Sequence, residues 1–287
     1  MYFKKWSAFC YKEKIDPLRF DEIKIVEFLT EIFRKGAGYS AVNTARSALS
    51  TMFTNEAGLT IGNYPSVRRL LKGIFELKTP MPKYNIIWDV NIVLEYLKLL
   101  NPLSELPLSH LTYKLTMLLA LASSQRVQTL QAIKIDNIQF FHNMVHIPIY
   151  SLLKTTTVKR RKFSVQLKAF EEDPNICVVL NLKEYIKRTK NLRGSECRLL
   201  ISATKPYKPV TTSTISRWLK SVLEEAGIDT DYYKGHSTRA ASCSKARMNE
   251  VSIEEIMKNA GWSNCETFHK FYNKPVLMDE SDTLSLR

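Results

Sequence analysis

The chain has 287 residues, of which 45% are hydrophobic, with a formal net charge of +14 and a pI near 9.5. That length is enough for two domains and a substantial core, and the basic excess favours a polyanionic partner, nucleic acid being the commonest. The sequence contains no apolar run of about 18 residues and no signal-peptide pattern, so the expectation is an intracellular soluble protein with no membrane role.

The charge is spread along the chain, with +6 on residues 1–85 and +8 on the rest, so both parts can face a phosphate backbone. Five cysteines (Cys10, Cys177, Cys197, Cys243, Cys265) form no CxxC pair and make no metal-ligand spacing with the five histidines. Neither a disulfide framework nor a metal site is therefore expected.

Helices open the chain. The apolar spacing of Ile23, Ile25, Val26, Phe28, Leu29, Ile32 and Phe33 predicts an amphipathic helix over 23–33. A second is predicted over 40–53, with Ser40 as N-cap. A third over 66–77 sets Arg68, Arg69 and Lys72 opposite Leu70, Leu71, Ile74 and Phe75. Tyr2, Phe3, Trp6 and Phe9 begin inside an apolar pattern, so natural sequence is expected to precede Met1. Two prolines within Lys78–Tyr84 mark a linker, placing a helical domain at 1–82 and a second domain at 83–287.

In the second part, helices are predicted over 90–100 and 108–122, the latter leucine-rich. β-Branched and aromatic residues then predict three strands of an antiparallel sheet over 136–141, 145–152 and 161–167. Helices return at 178–189, 213–226 and 237–247. Ser252-Ile-Glu-Glu255 and Ser263-Asn-Cys-Glu266 are capping boxes for two further helices, with Gly261 a C-cap between them and Tyr272 near the end. The fold class is therefore mainly α with a small antiparallel β-sheet.

The chemistry-bearing residues form one ordered set. Arg126 follows the leucine-rich helix, and Lys154 follows the middle strand, near the basic run Lys159–Lys162. His236-Ser-Thr-Arg239 opens a helix, so its imidazole and guanidinium are expected on one face, beside helix N-terminal N–H groups. Trp262 and Tyr272 complete the set. Two guanidiniums can bind a phosphate and stabilise the phosphorane charge that a metal supplies elsewhere. A lysine can protonate a leaving oxygen, an indole N–H can support a phosphate but not act as a base, and a phenol can attack phosphorus. Tyr232 and Tyr233 compete with Tyr272 by residue type, but sit in a loop shortly before His236. Trp6, Trp88 and Trp218 read as core residues.

Arginine, hairpin lysine, HxxR, Gly-Trp and tyrosine, in that order, resemble the tyrosine recombinases of phage-integrase type. Gln125-Arg-Val-Gln-Thr-Leu130, Gly261-Trp-Ser263 and Phe271-Tyr-Asn-Lys-Pro275 look most like recombinases of eukaryotic DIRS-type and Crypton-type mobile elements. The resemblance implies a helical core-binding domain, the DNA clamp, at 1–82. A mixed α+β catalytic domain of the DNA breaking-rejoining type would occupy 83–287. It implies site-specific recombination and integration through a 3′-phosphotyrosyl intermediate, without metal or small-molecule cofactor. Arg126, Lys154, His236, Arg239 and Trp262 would surround the phosphate and Tyr272 would be the nucleophile. Double-stranded DNA, self-association as a tetramer on it and a nuclear location are implied partners and setting.

Two positions depart from the family pattern. Thr129 stands where many members carry an acidic residue, and the usual spacing from the tryptophan puts the tyrosine one residue earlier, at Phe271. Two other readings use the same residues: a nicking-closing enzyme like the type IB topoisomerases, or a domesticated DNA-binding protein without catalysis.

Overall fold

A computed structural model of the chain describes residues 1–54, 58–154, 156, 163–262 and 265–277, with the backbone alone at Thr267. The basic run at 159–162 and the capping serine Ser263 lie outside the described residues. By its internal contacts the chain divides into two compact units, Met1–Lys83 and Tyr84–Arg287.

The first unit is helical: α1 (Tyr2–Glu13), α2 (Glu22–Arg34), α3 (Tyr39–Ser50) and α4 (Pro65–Leu77). Asp21 caps α2 by accepting the Lys24 N–H at 3.1 Å, and Pro65 opens α4 at a position where no N–H is needed. Trp6, Phe9 and Phe28 pack edge and face at centroid distances of 5.2–5.7 Å, and Leu29, Leu49 and Ile74 close the core. Ser40 is not the N-cap that the sequence predicts. Gly38 takes that position and the Ser40 carbonyl accepts the Thr44 hydroxyl inside the helix. Phe75 also departs from expectation: it lies exposed beside Arg68 and Lys72, edge-on to Tyr39.

The second unit is built around α6 (Leu108–Ser123), against which α8 (Val178–Thr189), α9 (Thr212–Glu225) and α10 (Ser237–Met248) pack. A helix enclosed on several sides is apolar around much of its circumference, as the buried Leu111, Met117, Leu119 and Ala120 show. The helix α5 (Val90–Leu99) precedes it. Between α6 and the sheet lies α7 (Val127–Ala132), a single helical stretch that the polar sequence after Ser123 did not announce.

The sheet has strands β1 (Gln139–Phe140), β2 (Met144–Ile149) and β3 (Phe163–Lys168), antiparallel in that order. Val145 pairs with Leu167 and Ile147 with Val165, so alternate residues of β2 and β3 present one buried face. The first predicted strand is shorter than expected because Ile135–Asn137 forms a 3₁₀ turn. The unit ends with α11 (Ile253–Ala260) and α12 (Cys265–Phe271). Beyond α12, Val276 pairs in parallel with Ile87. The Ile87 N–H reaches the Pro275 carbonyl at 2.9 Å, and the Leu277 N–H reaches the Ile87 carbonyl at 2.7 Å. All five cysteines are free. No described helix is long and apolar enough to cross a membrane.

Candidate active site

The site begins where α10 begins. Gly235 packs against α9 so closely that a Cβ there would lie 2.8 Å from the Ser216 carbonyl, so the chain can enter α10 here only as glycine. Next to it, Ser237 accepts the buried Trp88 indole N–H at 2.9 Å, fixing the first turn. His236 sits just before the helix and is exposed, with its ring 6.4 Å from that of Tyr272. Arg239, three residues on, is 2% exposed, and its guanidinium lies near the same Tyr272 ring. The expected helix N-terminal donors are partly engaged. The Ser237 N–H bonds the Lys234 carbonyl at 2.7 Å, and the Arg239 N–H bonds the His236 carbonyl at 3.3 Å.

The carbonyl end of α11 receives the Arg239 guanidinium. Its Nη2 donates to the Ala260 carbonyl at 2.6 Å, and its Cζ lies 4.2 Å from the Trp262 ring centroid and 5.3 Å from that of Tyr272. Trp262 can stack there because Gly261 is left-handed (φ 74°), which reverses the chain and brings the Trp262 N–H back to the Met257 carbonyl at 2.9 Å. Ser252 caps the other end of α11, accepting the Glu255 N–H at 3.2 Å as the first capping box predicts.

Tyr272 follows the last residue of α12. Its ring lies 4.3 Å from that of Trp262, and it packs with Phe268 and Cys243 in a small apolar cluster. Ser244 of α10 donates to the Tyr272 carbonyl at 3.1 Å and accepts the Lys274 N–H at 3.0 Å. Phe271, one residue earlier, is 42% exposed with the Lys270 ammonium over its ring. The residue that meets Arg239 and Trp262 is therefore Tyr272. Tyr233 is buried with its hydroxyl on the Ile86 carbonyl at 3.2 Å, and Tyr232 packs edge-on to it.

Arg126 is half-buried at the residue that opens α7, close enough for its charge to act on Arg239. Burial first, and repulsion from Arg126 second, push the Arg239 guanidinium down to about 10, against smaller opposing effects from Tyr272 and Cys243. Lys154 is exposed in the connection from β2 to β3, and its N–H donates to the Gln128 side-chain oxygen at 3.1 Å. Its link to the cluster thus runs through a residue two past Arg126.

Among the described residues, Arg239 Nε and Nη1, Trp262 Nε1 and Thr238 Oγ1 are buried without a hydrogen-bond partner. A cation with two unmatched N–H groups, a second arginine pressing on it and an indole N–H beside it together favour an anion with several acceptor oxygens. No group of three or more His, Cys, Asp or Glu residues suited to a metal ion occurs among the described residues. Sequence reasoning missed Ser244, which nothing in its local pattern distinguishes, and Gln125. The latter is buried next to Arg126 and bonded to the carbonyl of Asn259 in α11.

Comparison with known proteins points to one family. Residues 94–276 match the sequence model of the phage integrase family. Three similar solved structures are recombinases with DNA. The XerH site-specific recombinase on its palindromic difH substrate has a TM-score of 0.62 at 15% identity, over 90% of this chain and 70% of that one. The Tn1549 transposon integrase with circular intermediate DNA gives 0.57 at 12%, over 93% and 85%. A lambda integrase tetramer on a Holliday junction gives 0.52 at 16%, over 85% and 65%. No curated protein matches the sequence significantly. The mainly helical architecture with its three-stranded antiparallel sheet is that of the tyrosine recombinase catalytic domain. The family match covers well over half of the chain, which is therefore a member of the phage integrase family, the tyrosine recombinases.

Proposed function

We propose that the chain cleaves and rejoins double-stranded DNA at specific sites by tyrosine attack, without a metal ion. The observation that carries this reading is the buried Arg239 guanidinium, its unpartnered N–H groups flanked by Trp262 and Tyr272. The scissile phosphate supplies the missing acceptors. Arg239 and Arg126 hold its non-bridging oxygens and stabilise the phosphorane, with the Trp262 N–H as a further donor. The Tyr272 phenol oxygen bonds to phosphorus as the phosphorus–O5′ bond breaks, leaving a 3′-phosphotyrosyl link and a free 5′-hydroxyl. His236, exposed beside the phenol, takes up its proton. Lys154 delivers a proton to the departing oxygen, a transfer open to an ammonium but not to a guanidinium. Attack by a 5′-hydroxyl on the phosphotyrosine reverses these steps and rejoins the strand.

In this reading residues 1–82 hold duplex DNA through a basic helical surface and residues 83–287 carry the chemistry. Self-association as a tetramer finds support in the lambda integrase tetramer on its junction, and a mobile-element role in the transposon integrase. The motifs around Arg126 and Trp262 support a recombinase of the DIRS or Crypton kind, working in a nucleus. The test begins with a duplex selected by the protein from a random pool and then nicked beside the cleavage point. In EDTA, the unmutated protein is expected to form a covalent adduct that Tyr272→Phe does not. DNA binding with no adduct would leave only a DNA-binding protein. Exchange between two such sites separates a recombinase from a nicking-closing enzyme.

A further inference from the structure

We infer that Gln125, held by Thr129, is a positioning residue for Arg239. This deepens the reading above and rests on Arg239 binding the scissile phosphate. Gln125 lies between α6 and α7, 8% exposed, and Thr129 one turn later is 4% exposed. The Thr129 hydroxyl donates to Gln125 Oε1 at 3.2 Å, and Gln125 Nε2 donates to the Asn259 carbonyl. That orientation is dictated by chemistry, since a carbonyl can only accept and only the amide nitrogen can supply its proton.

The last turn of a helix leaves four carbonyls without helical partners. In α11 each is taken by a different group. Met257 receives the Trp262 N–H, Lys258 the Gly261 N–H, Asn259 the Gln125 amide and Ala260 the Arg239 guanidinium. Gln125 thereby fastens the carbonyl next to the one that orients Arg239. The Ala260 bond determines where Nε and Nη1 point, so movement at the end of α11 moves both donors relative to the phosphate. A carboxylate at 129 would face the Gln125 oxygen, and threonine supplies a proton there instead. Arg126, the adjacent residue, ties the same junction to the first phosphate-binding guanidinium.

The test compares the unmutated protein with Gln125→Glu, which keeps shape and the acceptor for Thr129 but removes the donor to Asn259. Adduct formation at saturating nicked duplex is expected to slow by about 10- to 100-fold, the scale of a small misplacement of reacting groups. The DNA concentration for half-saturation should not change. Relative to the unmutated protein, the variant should recover as the pH falls toward about 4.3, the ordinary glutamate pKa, where the side chain regains a proton to donate. A packing role predicts no such recovery. An unaltered rate in Gln125→Glu, or a loss of DNA binding in step with the rate, overturns the inference while leaving the function standing. If circular dichroism shows that variant unfolded, Thr129→Val decides: slower adduct formation supports the inference and an unchanged rate refutes it. No adduct from the unmutated protein overturns the functional reading itself, and this inference with it.

Discussion

Replacing Arg239 by lysine keeps the charge and removes the geometry. The guanidinium uses Nη2 on the Ala260 carbonyl and lies 4.2 Å over the Trp262 ring, leaving Nε and Nη1 for the phosphate. A lysine ammonium that bonds Ala260 has no second planar edge to offer. At most one of the two lost phosphate contacts returns, and each charge-assisted bond is worth about 1.5–3 kcal/mol. A net loss of about 2–4 kcal/mol in the transition state corresponds to roughly 30- to 1,000-fold slower cleavage. Binding should hardly change, because duplex affinity is distributed over the many basic residues of a chain with net charge +14. Single-turnover adduct formation on the nicked duplex measures the rate and a filter-binding titration the affinity. A rate within threefold of the unmutated protein would mean that Arg239 is structural, and the phosphate assignment would fall.

Tyr272→Phe should abolish the adduct, and adding Phe271→Tyr should not restore it, because position 271 faces outward under Lys270; a restored adduct would show that the nucleophile's address is set by spacing and not by this packing. Ser244→Ala removes two bonds that hold the main chain around Tyr272, so adduct formation should slow by up to about 30-fold, at roughly 1 kcal/mol per neutral bond. Lys114, buried with its ammonium on the Leu100 carbonyl at 2.7 Å, is pushed down to about 8 by burial. A lowered lysine pKa destabilises the fold below that value and ceases to do so as pH rises toward the unfolded pKa. Between pH 7 and 10, urea midpoints of the unmutated protein should therefore rise relative to Lys114→Met; parallel profiles would rule this out.

The helices and strands were legible because their causes are local. Ile25, Phe28, Leu29 and Ile32 recur at helical spacing, and β2 alternates at period two, so each element announces its buried face. The short helix α7 was not legible, because six residues with mixed polarity carry no periodic signal and its position depends on packing against α6 and α9. Ser40 misled for a related reason: a good N-cap residue lies two positions from the one the chain uses, and tertiary packing chooses between them. In the site, His236, Arg239, Trp262 and Tyr272 were readable as types in order. Their unequal burial was not: the HxxR spacing suggested two groups on one face, and both lie near the Tyr272 ring, yet the imidazole is exposed and the guanidinium buried. Ser244 escaped because its partners are main-chain atoms of a distant segment, which no side-chain pattern encodes.

The two halves of the proposed reaction centre are held with different strength. Arg239 is enclosed, oriented by a carbonyl and stacked on an indole, a desolvated cation–π contact worth about 2 kcal/mol. Tyr272 is only half-buried, at the end of a seven-residue helix, and its main chain is secured by Ser244 and by the pairing of Val276 with Ile87. Each of those ties is a neutral hydrogen bond of about 1 kcal/mol, so together they hold the tyrosine by only a few kcal/mol. Ser244 nevertheless lies on the same helix as Arg239, five residues on, and a rise of about 1.5 Å per residue sets their separation. Whenever the ties are made, the phenol is registered against the phosphate-binding guanidinium by one rigid element. A firmly held charge site and a more lightly held nucleophile suit the proposed reaction, in which the same phosphate is attacked first by the tyrosine and then by a hydroxyl from DNA.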